Sequence, residues 1–225
     1  MPQKLLGVGM NWNRLFLTGC ILFFISAKAG AQADWELMLD KENIRVFTKR
    51  MDNSPLKAVK TVCIINASLT ELTGVLLDIK GTTDWVYATK KITLLQQLSL
   101  SELFYYSEVE IPWPVSNRDF IVHLKVSQDE RTKIVTVDGY NKPDYLPAYK
   151  NIVRIRRSYS KWVITPLQNG QVKIEYVLEV DPGGNVPVWL INLFAAKGPF
   201  ETFKKLREQV KKPVYGNISL PFIKD

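Results

Sequence analysis

Alternation of apolar and polar residues is the feature that most constrains the fold of this chain. It is clearest in residues 172–180 (VKIEYVLEV), where every second side chain is apolar. A period of two places the apolar set on one face of a β-strand and the polar set on the other. Other strand-like segments occur at residues 43–49, 58–67, 103–111, 120–126, 134–137 and 152–164. Strands at this spacing predict an antiparallel sheet with one buried face.

Helical patterns interrupt and then end this series of strands. Residues 68–71 (SLTE) have the spacing of a capping box, and residues 82–87 predict a short second helix. After the turn residues 181–185, apolar side chains recur every three or four positions and predict an amphipathic helix from Val186 to Lys212. A bend is expected at Gly198-Pro199, since Pro199 cannot donate a backbone hydrogen bond. A twisted sheet whose concave face is covered by one long helix is an α+β grip.

The segment Ile111–Phe120 (IPWPVSNRDF) predicts a stiff, apolar loop with Trp113 at its tip. Proline fixes its own φ and holds the residue before it in an extended conformation. Strand pairing is therefore expected to stop near Ile111 and to resume near Arg118. The indole of Trp113 either packs in the core or forms a gate or membrane contact, because tryptophan suits sites that are apolar on one side and wet on the other.

The first 33 residues have the layout of a secretory signal peptide. A positively charged start precedes an apolar run, Leu15–Ile25, that is too short to span a membrane, and small residues follow it. Cleavage is expected after Ala31 or Ala33, which would export the protein to the periplasm. A lipobox-like sequence ending at Cys20 leaves lipidation open as an alternative, and a retained membrane anchor is the third.

Removal of the signal peptide would leave one domain, residues 34–213, and a tail, residues 214–225, with no assigned role. Cys63 lies in an apolar strand pattern and is expected to be buried. Removal of Lys4, Arg14 and Lys28 with the signal peptide would lower the net charge from +8 to +5, and a mildly basic surface suits an anionic membrane surface. Four lysines give the last helix a basic face: Lys204, Lys205, Lys211 and Lys212. The positive charge is too diffuse to predict binding of nucleic acid.

The sequence contains no recognised pattern of catalytic or metal-binding residues. His123 is the only histidine, and its parity in the strand places it on the face away from the buried side, which argues against a catalytic triad or a zinc site. Glu108 and Glu110 are interpreted as part of a solvated outer face. Arg118 and Asp119 are interpreted as a structural anchor between the loop and the strand.

The order of elements and the local motifs resemble the START family, the steroidogenic-acute-regulatory-related lipid-transfer domains with a helix-grip fold. The residues that carry the resemblance are Trp35, Ile44–Val46, Trp113-Pro114, Asn117–Phe120, Trp162, Pro166, Asp181–Gly184, Pro187 and Leu206-Arg207. It covers about residues 34–213. The resemblance implies an internal apolar tunnel between the sheet and the C-terminal helix, which holds one lipid or sterol and needs no cofactor.

The resemblance also implies which residues line this tunnel. The expected ligand-binding residues are Tyr105, Val109, Trp113, Phe120, Val122, Leu124, Tyr176, Leu178, Leu193, Phe200, Phe203 and Leu206. Some sterol-binding members carry a basic residue where this chain has Leu124, so a charged anchor for a sterol hydroxyl is absent at that position. Tyr105, Ser107 or Tyr176 could supply a hydroxyl in its place.

The resulting hypothesis is a monomeric carrier, without enzymatic activity, that binds a lipid or sterol-like molecule at the cell envelope and contacts membranes transiently. Two alternatives are open. One is a helix-grip enzyme, cyclase- or hydrolase-like, that uses Tyr, Asp or Arg in the same pocket. The other is an envelope scaffold whose cavity is filled by side chains.

Overall fold

Ten strands form a single sheet in the computed structural model, which describes Met1 and residues 35–51, 57–184 and 186–225. The predicted signal peptide, with its cleavage sites at Ala31 and Ala33 and the alternative at Cys20, lies outside the described residues. From Trp35 onward the described residues belong to one compact unit, Ala33–Asp225. No helix among the described residues is long and apolar enough to cross a membrane.

The sheet runs in the order β1-β2-β3-β10-β9-β7-β6-β5-β4, and every neighbouring pair in this order is antiparallel. The strands are β1 Glu36–Lys41, β2 Ile44–Arg50, β3 Lys57–Asn66, β4 Thr89–Ser99, β5 Glu102–Val109, β6 Arg118–Gln128, β7 Val135–Asn141, β8 Val153–Arg154, β9 Arg157–Leu167 and β10 Gln171–Asp181. The short β8 lies off this path and pairs in parallel with β6. The predicted antiparallel sheet is confirmed.

The alternation in β10 shows how the sequence positions the core. Val172 and Ile174 are almost fully buried, whereas Tyr176 and Leu178, which have the same parity, are only half-buried. The inward face of this strand therefore changes along its length, from tightly packed at one end to loosely covered at the other. The loosely covered end borders the cavity described below.

The sequence did not predict β1 and β4, and one segment predicted as a single strand forms two strands. The edge strand β4 has register shifts at Leu94/Gln96 and Gln97/Ser99, and these irregularities break the period of two that would reveal it. The predicted strand 152–164 was wrong as one element. It divides into β8, which pairs in parallel with β6, and β9; Arg154 of β8 binds Asp119 on the outer face of β6. The other missed strand, β1, is mostly exposed at the opposite edge of the sheet.

The helices are α1 Leu69–Leu77, α2 Thr82–Trp85, α3 Val188–Asn192, α4 Gly198–Gln209 and α5 Pro213–Gly216, with a π-helical segment at Leu193–Lys197. The predicted capping box of α1 is confirmed by the bonds from the Glu71 N–H to the Ser68 hydroxyl (3.1 Å) and from the Ser68 N–H to the Glu71 carboxylate (2.8 Å). The predicted long helix is interrupted by the π-helical segment just before Pro199. There the Gly198 N–H bonds to the carbonyl of Leu193, five residues back.

The C-terminal tail packs on the domain. The buried hydroxyl of Tyr215 donates to Asp78 and accepts from Gln209, both at 2.8 Å. Ile223 is buried in the same core, and the Thr70 N–H donates to the Asp225 carboxylate at 2.9 Å. The compact unit therefore continues to the last residue rather than ending at residue 213, and the tail helps to cover α1.

The tail should contribute measurably to stability. We expect Tyr215→Phe to lower the free energy of unfolding by about 1–3 kcal/mol, because it leaves the buried amide of Gln209 and the half-buried carboxylate of Asp78 without this partner. Urea unfolding measures this change. Tyr149→Phe is the control, since its side chain is half exposed. An equal, small effect of both substitutions would show that the tail is only loosely attached.

Candidate functional site

A cavity of about 240 Å³ lies between the concave face of the sheet and the C-terminal helix. Strands β4, β5, β6, β7, β9 and β10 supply one wall, and α2, the π-helical segment and α4 supply the other. The lining is mainly apolar and aromatic. It includes no Asp, Glu, Lys, Arg or His among the residues that the structure describes.

Eight of the twelve predicted ligand-binding residues line this cavity: Tyr105, Val109, Phe120, Val122, Leu124, Tyr176, Leu178 and Phe203. Seven of them come from three strands, β5, β6 and β10, and share the inward parity of those strands. The register explains why they meet, since Tyr105 pairs with Val122 across β5 and β6. The alternation in the sequence is sufficient to locate this part of the wall.

The other four predicted residues do not line the cavity. Phe200 and Leu206 face the packed core beneath β2 and β3. Leu193 is displaced by the π-helical segment, whose extra residue per turn places Phe194 in the lining instead, against Tyr87 at 5.8 Å. Trp113 is 91% exposed at the tip of its loop, so packing of its indole in the core is excluded.

An aromatic cluster that the sequence did not reveal forms part of the wall. The ring of Trp162 lies 4.4 Å from that of Tyr176, 5.3 Å from Phe203 and 6.3 Å from Trp85, measured between centroids. Trp162 has the same parity as Ile164 in β9, so its inward orientation was readable from the pattern. The orientation of Trp85 could not be predicted, because the four-residue helix α2 is too short to show a helical period.

The cavity ends near two connections of the chain. Val109 and Val180 line it and lie at the ends of β5 and β10, directly before the Trp113 loop and the turn at residues 182–184. The buried Arg118 joins these connections. Its guanidinium donates to the carbonyl of Ser116 at 2.5 Å and to that of Gly183 at 3.2 Å. The Trp113 loop is thus anchored at its base and exposed at its tip.

Asp119 is a structural anchor, as interpreted from the sequence. Its carboxylate is fully buried and accepts two hydrogen bonds from Arg154, at 2.8 and 3.0 Å. The same guanidinium donates to the carbonyls of Pro143, Leu146 and Pro147 at 2.6–3.2 Å. This bidentate pair therefore fixes the 142–152 connection against the outer face of β6.

The interpretation of Glu108 as solvated was wrong. Its side chain is buried, accepts a hydrogen bond from the Asn117 amide at 2.7 Å and lies 3.2 Å from the ammonium of Lys90. Glu110, two residues on, is exposed. The outer face of β5 is covered near Glu108 by the loop that follows it, and this covering cannot be read from a period of two.

His123 lies outside the cavity lining, as its parity predicted. Its ring stacks on Phe104 at 4.4 Å, and its Nε2 is 2.6 Å from the carboxylate of Glu102. Within the described ranges, no three His, Cys, Asp or Glu side chains converge as a metal site.

Comparisons with known proteins extend along most of the chain. Residues 20–214 match the model of the START domain. An uncharacterized protein of Pseudomonas aeruginosa is 30% identical over 201 residues, covering 88% of this chain and 97% of the relative. The phosphatidylcholine transfer protein of Bos taurus is 25% identical over 211 residues, covering 91% of this chain and 95% of the relative.

A solved structure is similar in fold as well as in sequence. The crystal structure of a STAR-related lipid transfer protein fragment from Xanthomonas axonopodis is 31% identical, with a TM-score of 0.72, and the match covers 79% of this chain and 99% of that chain. The agreement over nearly all of that chain confirms the helix-grip fold.

Loss of the Asp119 charge should destabilise the protein strongly. We expect Asp119→Asn to lower the free energy of unfolding by about 3–5 kcal/mol, because Arg154 would remain buried without its counter-charge. Asp144→Asn is the matched control, since it removes a carboxylate 2.9 Å from Arg156 in an exposed pair and should cost less than about 1 kcal/mol. Denaturant unfolding of both variants measures the difference, and equal costs would contradict the anchoring role.

Proposed function

This chain belongs to the START family, and from that premise we propose that it binds a lipid in the cavity and carries or exchanges it between membranes at the cell envelope. The observation that carries the proposal is the uncharged, mainly apolar cavity itself. An apolar pocket with a few polar groups is the usual form of a site for a hydrophobic small molecule. The relative from Bos taurus, a phosphatidylcholine transfer protein by name, supports the same class of function.

The energetics of burial suit a carrier. Each buried methylene group gains about 0.8 kcal/mol, so a sixteen-carbon chain moved from water gains roughly 13 kcal/mol before other costs are counted. A bilayer offers the chain a similar apolar environment, and net transfer from membrane to cavity is therefore close to neutral. Exchange is then limited by access to the cavity, and this function requires no catalytic residue.

Access in this proposal is controlled by the Trp113 loop, at the end of the cavity marked by Val109 and Val180. The loop tip is exposed and its base is held by Arg118, so the tip can enter the interface of a membrane while the sheet stays rigid. Trp189 of α3 is a second half-exposed tryptophan, in the segment that follows the 182–184 turn. Tryptophan is favoured at membrane interfaces, where one part of the ring is apolar and the other is wet.

The predicted basic helix face is shorter than expected, because α4 ends at Gln209 and Lys211 and Lys212 follow it; three of its four lysines also lie near acidic side chains. The ammonium groups of Lys211 and Lys212 lie 2.9 and 2.8 Å from carboxylates of Glu208 and Asp84, and that of Lys204 lies 3.6 Å from Glu42. These pairs are exposed and individually weak, so the lysines remain available to anionic headgroups, but the local net charge is small. In this proposal the tryptophans contribute more to membrane contact than the lysines do.

Location at the envelope is also part of the proposal. The signal-peptide pattern of residues 1–33 supports export with cleavage after Ala31 or Ala33, and the protein would then act in the periplasm as a monomer. N-terminal sequencing of the protein from the producing cell would distinguish cleavage at these sites from lipidation of Cys20.

Lipid should be present in the purified protein. Native mass spectrometry is expected to show a bound lipid in the wild type and a strongly reduced fraction in Leu124→Trp, because the larger side chain enters the cavity. Leu167→Trp is the control, since Leu167 is exposed and outside the lining. An empty wild-type protein that also binds no added lipid analogue would contradict the proposal and favour a scaffold.

Trp113 should affect transfer rather than folding. Trp113→Ala is expected to slow lipid exchange between vesicles about tenfold while the free energy of unfolding changes by less than about 0.5 kcal/mol, as is usual for an exposed site. Tyr140→Ala, which removes another exposed aromatic ring from the outer face of the sheet, is the control. Unchanged exchange in Trp113→Ala would show that the loop is not the membrane contact.

A further inference from the structure

We propose that the cavity selects an uncharged lipid that carries a hydroxyl, ester or amide group, and that Tyr105 and Tyr176 recognise this group. The inference rests on the proposed function, since it presupposes that a lipid occupies the cavity. To the proposed function it adds the chemical class of the lipid and the two residues that recognise its polar group.

The described lining of the cavity carries no charged side chain. The described residues that line the cavity include no ionisable side chain other than tyrosine and therefore offer no counter-charge for a phosphate, carboxylate or ammonium. The nearby buried ions are paired elsewhere: Asp119 with Arg154, and Glu108 with Lys90. Burying an unpaired ion costs several kcal/mol, so a charged headgroup is disfavoured inside this cavity.

Two tyrosine side chains of the lining have hydroxyls without a partner in the described part of the chain. Tyr105 of β5 and Tyr176 of β10 both line the cavity, and neither hydroxyl has a hydrogen-bond partner among the described residues. Burial raises the pKa of both groups. Both hydroxyls thus stay protonated and can each donate one hydrogen bond and accept others.

Two other tyrosines, Tyr215 and Tyr159, are hydrogen-bonded within the protein. The hydroxyl of Tyr215 bonds to Asp78 and Gln209, and that of Tyr159 bonds to Asp138 at 2.5 Å. A buried polar group without a partner is costly, and most such groups in proteins are satisfied. The hydroxyls of Tyr105 and Tyr176, which line the cavity and have no partner among the described residues, are therefore available to bond to a ligand.

Serine hydroxyls extend this polar site. Ser107 is 3% exposed, and its hydroxyl, like those of Ser158 and Ser160, lacks a side-chain partner within the part of the chain that the structure describes. All three line the same cavity as the phenols. The polar side-chain groups of this wall are thus neutral: hydroxyls, and the indole N–H of Trp85, which also lacks a partner among the described residues. They match a neutral group that both donates and accepts.

Three lipids with the same acyl chain test this selection. The full chain, stripped of endogenous lipid, is titrated with 1-oleoylglycerol, 1-oleoyl-lysophosphatidylcholine and 1-oleoyl-lysophosphatidylglycerol, and binding is measured by calorimetry. We expect 1-oleoylglycerol to bind at least about 100-fold more tightly than either phosphate-containing lipid. Equal or tighter binding of a lysophospholipid would overturn the inference and leave the proposed function intact. Absence of binding by all three lipids would overturn both.

Two variants test the role of the phenols. Tyr105→Phe and Tyr176→Phe should each weaken binding of 1-oleoylglycerol by about three- to tenfold, the effect of one lost neutral hydrogen bond, without lowering the melting temperature. Tyr140→Phe on the outer face is the matched control and should bind as the wild type does. Unchanged affinity in both cavity variants would contradict the recognition role of Tyr105 and Tyr176.

Discussion

The sheet presents a larger concave apolar face than the C-terminal helix covers, and the rest of the structure depends on this mismatch. The helix α4 lies against β2 and β3, where Phe200 and Leu206 join a fully packed core. Across the β5 and β6 side, inward residues such as Tyr105 and Phe120 remain only half-buried. The uncovered part of the face becomes a cavity, because no element of the described chain fills it.

Polar interactions are arranged so that this cavity stays free of charge. The bidentate pair between Asp119 and Arg154 lies on the outer side of β6, and Arg118 binds backbone carbonyls at the end of the sheet. These contacts fix the connections around the cavity without placing an ion inside it. The contacts that stabilise the fold around the cavity and the residues that keep the cavity uncharged are therefore different. A substitution can change the stability of the protein without changing the charge of the cavity, and the reverse.

The sequence pattern predicted the wall of the cavity better than its edges. Where strands alternate regularly, as in β5, β6 and β10, seven of the eight predicted residues that line the cavity share the inward parity. Apolar periodicity predicted the covering helix, and the family resemblance supplied the cavity between helix and sheet. The errors occur where regularity is lost. Register shifts obscured the period of β4. The parallel pairing of β8 with β6, where Arg154 binds Asp119, divided a predicted strand. The π-helical segment placed Phe194 rather than Leu193 in the lining. The burial of Glu108 and the packing of residues 214–225 depend on contacts between distant segments, which a local pattern does not contain.

The central claim is that the acyl chain of a lipid lies inside the cavity rather than on the surface. Photocrosslinking with a lipid that carries a diazirine in its acyl chain, followed by mapping of the modified peptides, tests it most directly. Labelling is expected on inward residues of three elements, such as Val122, Leu178 and Phe203, and should be competed away by excess unlabelled lipid. Labelling confined to exposed residues, such as Trp113 or the outer-face Tyr140, would contradict the account.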